Sequence, residues 1–389
     1  MKIRSIKEVK KAKGINVLLR VDCNVPLDKK GRIVDDYRIK SILPTIRHLL
    51  IKGANVIIVS HLGRPKGEVV PALSNKVVAE RISKLLEKEV TFFDEFISEK
   101  NIKKARNLGF RQIAMLENIR FSPYEKKNDA AFAKDLAKYG DLYVNDAFAV
   151  SHRDDASVSA ITRYLPSYAG LLMEKEIKNL SRIFESKDRP KVAIIGGVKI
   201  GTKFSVLKNL LKKMDYVLLG GAVANNVLKV MGYEIGLSKF DDEHLELTSK
   251  ILHKKLRIPV DVVVAKGMSA KAKSCIKAVG QIGKKDIILD LGPKTVKLYS
   301  EIIKDAALVV WNGPLGYFEI PKYRKASGAI GRAIIKSKDD SIAGGGETVQ
   351  VLKELDLKNK FDFISTGGGA MLEFLEGKVL PGIKPLLKK

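Results

Sequence analysis

Cysteine is almost missing from these 389 residues: only Cys23 and Cys275 occur, far apart and outside any CxxC. That excludes a disulfide framework and the paired-cysteine zinc sites, and it suits a reducing cytoplasm. Long apolar runs are missing too. No stretch approaches the roughly 18 residues that mark a membrane helix, so no membrane span is expected. The basic opening stretch MKIRSIKEVKKAKG has no apolar core of the kind a secretory signal needs, and none is expected. Aromatic residues make up only 7% of the chain, too few for the stacking platforms of nucleic-acid binders. Acidic residues are in deficit, 44 against 71 Lys and Arg, a formal charge of +27. Such a surplus fits an anionic partner (nucleic acid, anionic lipid or a phosphorylated substrate), or simply a solvated lysine surface. The basic residues are scattered through stretches such as ISKLLEKE and LKNLLKK rather than gathered in one stripe. A specific nucleic-acid partner is therefore not expected, although a basic nucleic-acid-binding protein stays open as an alternative.

What the sequence does have is alternation. At 45% hydrophobic and 30% charged it reads as globular, and its length suits two domains. INVLLRV precedes a helical pattern over 36–52, interrupted by Pro44, where a kink is expected. ANVIIVS, a helix over NKVVAERISKLLEKE, VTFFD, QIAMLE and DLYVND complete the first half. Residues 169–186 read as a long amphipathic connector helix with no strand on its N-terminal side. The alternation then restarts with seven strand-like runs: KVAIIGG, YVLLGG, VDVVVAKG, DIILDLG, LVVWNGP, DSIAGGG and DFISTGGG. Strands alternating with helices predict an α/β protein with parallel sheet covered on both faces.

Most runs in the second half end in glycine. Strand, glycine, helix places a helix N-terminus at the carboxyl edge of a sheet, where unpaired N–H groups and the helix dipole favour an anion. Several such loops along one sheet edge predict a nucleotide or similar phosphate ligand. GGVKIGTK approaches a Walker loop, with Gly196 and Gly201 five apart, but ends in Thr202-Lys203. No GxGxxG is completed, and no acidic residue follows one at the usual spacing. That counts against a nicotinamide-dependent dehydrogenase, which otherwise stays open. In the first half the strand ends carry charged and polar side chains instead: Arg20, Asp22 and Asn24, then His61 and Arg64, then Arg120, then His152 and Arg153, with Arg38 at a helix start. Guanidinium forks match the oxygens of phosphate and carboxylate. Open α/β sheets bind ligands beyond the carboxyl ends of their strands. A compact anionic small molecule is expected there.

At these residues the sequence resembles phosphoglycerate kinase, nearly end to end. VLLRVDCNVP, SHLGRP, LENIRF, GGVKIGTKF, VVWNGPLGYFE, SIAGGGET and STGGGAMLEFLEGKVLPGI stand in that family's order. The resemblance implies two doubly wound, Rossmann-like parallel-sheet domains: a 3-phosphoglycerate domain over 1–168 and a nucleotide domain over 187–375, joined by a connector helix over 169–186. A tail over 376–389 would pack back on the first domain, and a closable cleft would lie between the two. It implies reversible phosphoryl transfer between 1,3-bisphosphoglycerate and ADP, with Mg2+ and ATP/ADP, by a cytoplasmic monomer. Asp22, Asn24, Arg38, His61, Arg64, Arg120 and Arg153 fall on the acid-substrate positions. Lys199 and Lys203 match the lysines near the transferring phosphates, and Arg38 shares their catalytic part. Gly196, Gly220, Asn312, Pro314 and Glu319 match the adenosine site. Gly345, Gly346, Glu347 and Thr348 match the phosphate loop, and the helix start at Gly367–Gly369 lies beside it. Glu347 stands where the family has the aspartate that serves the nucleotide's magnesium, Cys23 stands for a phenylalanine, and the neighbours of the two lysines also differ.

Overall fold

A computed structural model describes residues 1–198, 200–337 and 340–388. The chain divides into two compact units, Met1–Lys178 with Val379–Lys389, and Asn179–Lys378.

Unit 1 holds strands β1 (Asn16–Arg20), β2 (Asn55–Val59), β3 (Thr91–Phe93), β4 (Ile113–Leu116), β5 (Leu142–Asn145) and β6 (Ser167–Ala169). Its helices are α1 (Tyr37–Ile51), α2 (Lys76–Leu86), α3 (Glu99–Arg106), α4 (Ala130–Ala137) and the start of α5 (Leu171–Glu185). The sheet order is β3-β4-β2-β1-β5-β6, and every pairing is parallel. Both faces are buried, which is why the strands read as unbroken apolar runs. Val17 and Leu19 pack with Ile39, Ile42 and Ile46 of α1, while Leu18, on the other face, packs with Phe132 and Leu136 of α4. Helix α1 runs on through Pro44. The chain leaves β1 toward β2 and returns after β4 to β5, on the other side of β1. The sheet's switch point therefore lies at the carboxyl ends of β1 and β5. The stretch before α5 departs from the sequence reading: β6 stands there, paired with β5. Three residues behind Pro166 are too short a run to show as a strand.

Residues 379–388 belong to unit 1. Gly382 N–H donates to Ser151 O at 2.9 Å, Arg4 N–H donates to Leu386 O at 2.8 Å, and Ile3 bridges Leu387.

Unit 2 contains β7 (Lys191–Ile195), β8 (Tyr216–Leu219), β9 (Leu256–Arg257), β10 (Asp261–Ala265), β11 (Ser274–Ala278), β12 (Ile287–Leu291), β13 (Leu308–Asn312), β14 (Asp340–Gly344) and β15 (Phe363–Ile364). Its further helices are α6 (Phe204–Lys213), α7 (Gly221–Val230), α8 (Leu245–Ser249), α9 (Pro293–Lys304), α10 (Lys325–Lys336), α11 (Gly346–Glu354) and α12 (Gly368–Leu375). Six strands form a parallel sheet in the order β15-β14-β13-β7-β8-β9, with its switch point between β7 and β13. Two of the seven expected strands are not in it. VDVVVAKG and DIILDLG supply β10 and β12 of a separate three-stranded sheet, in which β10 is central and pairs antiparallel with β11 on one side and β12 on the other. An apolar run ending in glycine does not record strand direction. The short link from β10 to β11 has room for a hairpin and not for a crossover helix.

Candidate functional site

In unit 1 the carboxyl ends of β1, β2 and β4 bring the first cluster together. Asp22 follows β1, His61 follows β2, and Arg120 sits in the 3-10 turn after β4. Asn118 ties two of these loops: its amide donates to Leu62 O at 2.7 Å and Leu73 O at 2.9 Å, and its Oδ1 accepts Arg120 N–H at 3.1 Å. Asn24 Oδ1 accepts the N–H of Gly63 at 2.8 Å, which joins the β1 and β2 loops. Arg38, in the first turn of α1, is ion-paired to Asp22. His61 is 2% exposed, with Nδ1 3.9 Å from Asp22 Oδ1. Burial holds its pKa well below the usual value, and Arg20, Arg120, Arg153 and Arg38 add to that. The imidazole is therefore neutral among four guanidiniums. Arg120 is also buried. It donates to Gly63 O at 3.3 Å and stands 3.7 Å from Asp155, with its Nε unpaired. Burial, with Arg20 and Arg153 nearby, pushes its pKa down to about 10. Arg153 is half-buried and Arg64 is exposed. The cluster is thus short of negative charge, a condition a multiply charged anion relieves.

In unit 2 the loops after β7 and β13 meet at the switch point. Gly196 N–H donates to Asn312 O, and Gly197 N–H donates to Pro314 O, both at 2.9 Å. A Cβ on Gly196 would lie 2.0 Å from Pro314 O, so only glycine permits this approach. Lys203, at the start of α6, is 8% exposed, and its ammonium donates to Gly196 O. A methyl group at Gly313 or Gly197 would stand 2.6 or 2.8 Å from its Nζ. Burial pushes this lysine's pKa down to about 8, opposed by the nearby Glu347. Gly345 caps α11 at φ 96°, Gly346 and Glu347 open that helix, and buried Thr348 Oγ1 accepts the Gly313 N–H at 2.7 Å. Gly220 caps α7 and Gly367 caps α12. Asn312 is buried and donates to Gly344 O at 3.0 Å. Lys199 lies outside the described residues.

Beside this cradle is a cavity of about 340 Å³. Pro314, Glu319 and Glu347 line it, together with Gly197 and Gly221. Gly196, Gly220, Asn312 and Thr348 are not among its lining residues. The other walls are mostly apolar, including Pro259, Met268, Leu289 and Phe318. Among the described residues one group of three could hold a metal, Asp241, Glu243 and His244. There His244 Nδ1 is already bonded to Asp241 Oδ1 at 2.8 Å.

A model of the phosphoglycerate kinase family matches residues 6–378. The chain belongs to the phosphoglycerate kinase family. Its relatives include a phosphoglycerate kinase of Dictyoglomus turgidum, 45% identical over 97% of this chain and 96% of that protein. Another, of Coprothermobacter proteolyticus, is 42% identical over 100% of this chain and 99% of that protein. Among solved structures, phosphoglycerate kinase from Coxiella burnetii superposes with a TM-score of 0.89 at 37% identity, covering 99% of this chain and 98% of that one. The Pyrococcus horikoshii OT3 enzyme gives 0.86 at 32% identity, with the same coverage. Membership makes the chain a kinase, a phosphotransferase, and sets aside the nicotinamide dehydrogenase and the nucleic-acid binder as its activity. Among the described residues no helix is long and apolar enough to cross a membrane.

Several residues of this phosphoglycerate kinase family member join the two clusters without having been singled out from the sequence. Glu125 and Ser157 lie under the unit 1 cluster, both buried. Within SPYEKK and DASVSA they look like ordinary loop residues, and no spacing marks them. Asn225, Lys239 and Asp290 line the cavity. Asp290 lies on β12, and its place follows only from the antiparallel sheet that the strand pattern hid.

Proposed function

We propose that this family member catalyses reversible phosphoryl transfer between 1,3-bisphosphoglycerate and ADP, giving 3-phosphoglycerate and ATP, a glycolytic step. The observation that carries the reading is the buried ammonium of Lys203 among the backbones of Gly196, Gly197 and Gly313, next to a nucleotide-sized cavity. Unit 1 takes the three-carbon acid: His61, Arg64, Arg120 and Arg153 hold its charged ends, with Asp22 and Asn24 positioning the loops around them. Unit 2 takes the nucleotide, its adenosine against Pro314, Glu319 and the apolar walls, its phosphates at Gly345–Thr348.

The attacking group in the direction of ATP use is a carboxylate, already ionised at neutral pH, so no general base is required. That agrees with a neutral His61 and with catalysis by positioning and charge neutralisation. Lys203, Arg38 and Lys199 supply positive charge to the transferring phosphoryl group, with the N-termini of α11 and α12 beside it. Transfer requires donor and acceptor in line with water excluded, so closure of the two units belongs to this reading. Glu347 offers a hard oxygen donor at the cavity wall, which fits magnesium, an ion held by one or two carboxylates plus substrate phosphates. When bound, the ion neutralises phosphate charge. A cytoplasmic monomer is part of the proposal. The test is a coupled assay for ATP-dependent phosphorylation of 3-phosphoglycerate with and without magnesium. No turnover with magnesium present would refute it.

A further inference from the structure

Beneath the unit 1 cluster runs a buried polar series that the reaction as proposed does not use. Arg20, the last residue of β1, is 0% exposed. Its Nε donates to Ser157 Oγ at 2.8 Å, its Nη1 donates to Val21 O, and its Nη2 stands 3.4 Å from His61 Nδ1. Ser157 Oγ donates to Glu125 Oε1 at 2.5 Å, and Ser157 N–H donates to Oε2 of the same carboxylate at 2.9 Å. Glu125 is also 0% exposed.

The guanidinium fixes the direction of every bond that Arg20 makes. A guanidinium has five N–H donors, no acceptor, and does not deprotonate in proteins. Ser157 Oγ must accept from Arg20, which leaves its one proton for Glu125. At the other end Arg20 can only donate, so His61 Nδ1 must accept. The alternative partner for a proton on Nδ1 is Asp22 Oδ1 at 3.9 Å, beyond hydrogen-bond reach. With Nδ1 accepting, the imidazole proton resides on Nε2.

We infer that the Glu125–Ser157–Arg20 series holds His61 as the neutral tautomer with its proton on Nε2, so that His61 meets the substrate as a hydrogen-bond donor. The step from tautomer to substrate rests on the reading of unit 1 as the 3-phosphoglycerate site. Arg20, Ser157 and Glu125 are then positioning residues, acting through His61. The groups facing the imidazole are Arg20, Arg38, Arg120 and Arg153, with Asp22 the nearest acid, and they favour the uncharged ring. Glu125 offsets the Arg20 charge inside the unit, so the guanidinium keeps its place when no substrate is bound.

Long-range 1H–15N NMR of the unliganded protein labelled at its five histidines reads the tautomer directly. His61 is expected to show the Nε2–H pattern and not to titrate from about pH 5 to 8, where a free histidine changes charge. An Nδ1–H pattern, or an imidazolium at pH 6, overturns the inference. Ser157→Ala should turn the His61 signals toward a tautomer mixture and raise KM for 3-phosphoglycerate about 10-fold with kcat changed less than about 3-fold. Ser157→Thr, which keeps the hydroxyl, should restore both. Arg20→Met should act more strongly; if it does not fold, Ser157→Ala decides alone, and an unchanged tautomer in that folded variant overturns the inference. His61→Gln, whose amide N–H2 lies near the Nε2 position, should retain more 3-phosphoglycerate affinity than His61→Asn; the reverse order also overturns it. If the free protein shows the Nε2–H form while 3-phosphoglycerate leaves its signals unmoved, the substrate reading fails and the tautomer stands.

Discussion

The N–H of Met173, in the first turn of α5, donates to Oδ1 of Asp146 at 3.0 Å, and the carboxyl is 0% exposed. Burial outweighs the hydrogen bonds from Thr45, Met173 and Leu172 and pushes this pKa up from 3.8 to about 6. A raised carboxyl pKa means that the folded state binds the proton more tightly than the unfolded one. Stability therefore falls as pH rises between about 4 and 6, by up to about 3 kcal/mol. Asp146→Asn keeps the acceptor and removes the ionisation. The stability of the variant minus that of wild type, from thermal unfolding, should climb across this window and then level off. A difference that stays flat would show that Asp146 does not change its affinity for a proton on folding.

Lys203→Ala should lower turnover about 100-fold or more while Kd for ADP and for 3-phosphoglycerate stays within about 3-fold, as for loss of one donor to charge developing in the transition state. Steady-state rates beside calorimetric affinities separate the two effects. Near-normal turnover would remove Lys203 from the proposed chemistry.

Gly196→Ala puts a methyl group 2.0 Å from Pro314 O and 2.7 Å from Gly313 O. The loops after β7 and β13 must part to admit it. Overpacking of this kind costs about 1–3 kcal/mol. Because the same loops cradle Lys203 Nζ, ADP affinity should fall more than about 10-fold. Urea unfolding and ADP titration of the same preparation check both, and unchanged ADP affinity would detach the cradle from the nucleotide.

Arg64 is exposed. Arg64→Ala should leave folding stability within about 0.5 kcal/mol, as for surface positions generally. It should nevertheless weaken 3-phosphoglycerate binding about 10-fold, the worth of a hydrogen bond to a charged group. Calorimetry decides, and unchanged affinity would place the acid elsewhere.

What could be read from the sequence was whatever physics repeats. Val56–Val59 and Val17–Leu19 announce buried strands because both faces of a parallel sheet are apolar, and the polar residues just beyond them mark strand ends. β6, β9 and β11 did not show: the first two are three and two residues long, and SCIKA of β11 is half exposed. Lys203 could be found by its motif, but its burial depends on backbone from Gly313, over a hundred residues away. Glu125 and Ser157 could not be found, since a buried carboxylate and a surface one share the same letter.

Unit 1 is assembled from two stretches of chain, with all of unit 2 between them. The ribosome delivers residues 379–388 only after it has delivered every residue of unit 2. During synthesis the earlier-made unit can therefore complete its sheet, Asn16–Ala169, before unit 2 exists, yet its seam at Ile3 and Leu387 closes only after all of unit 2 has emerged.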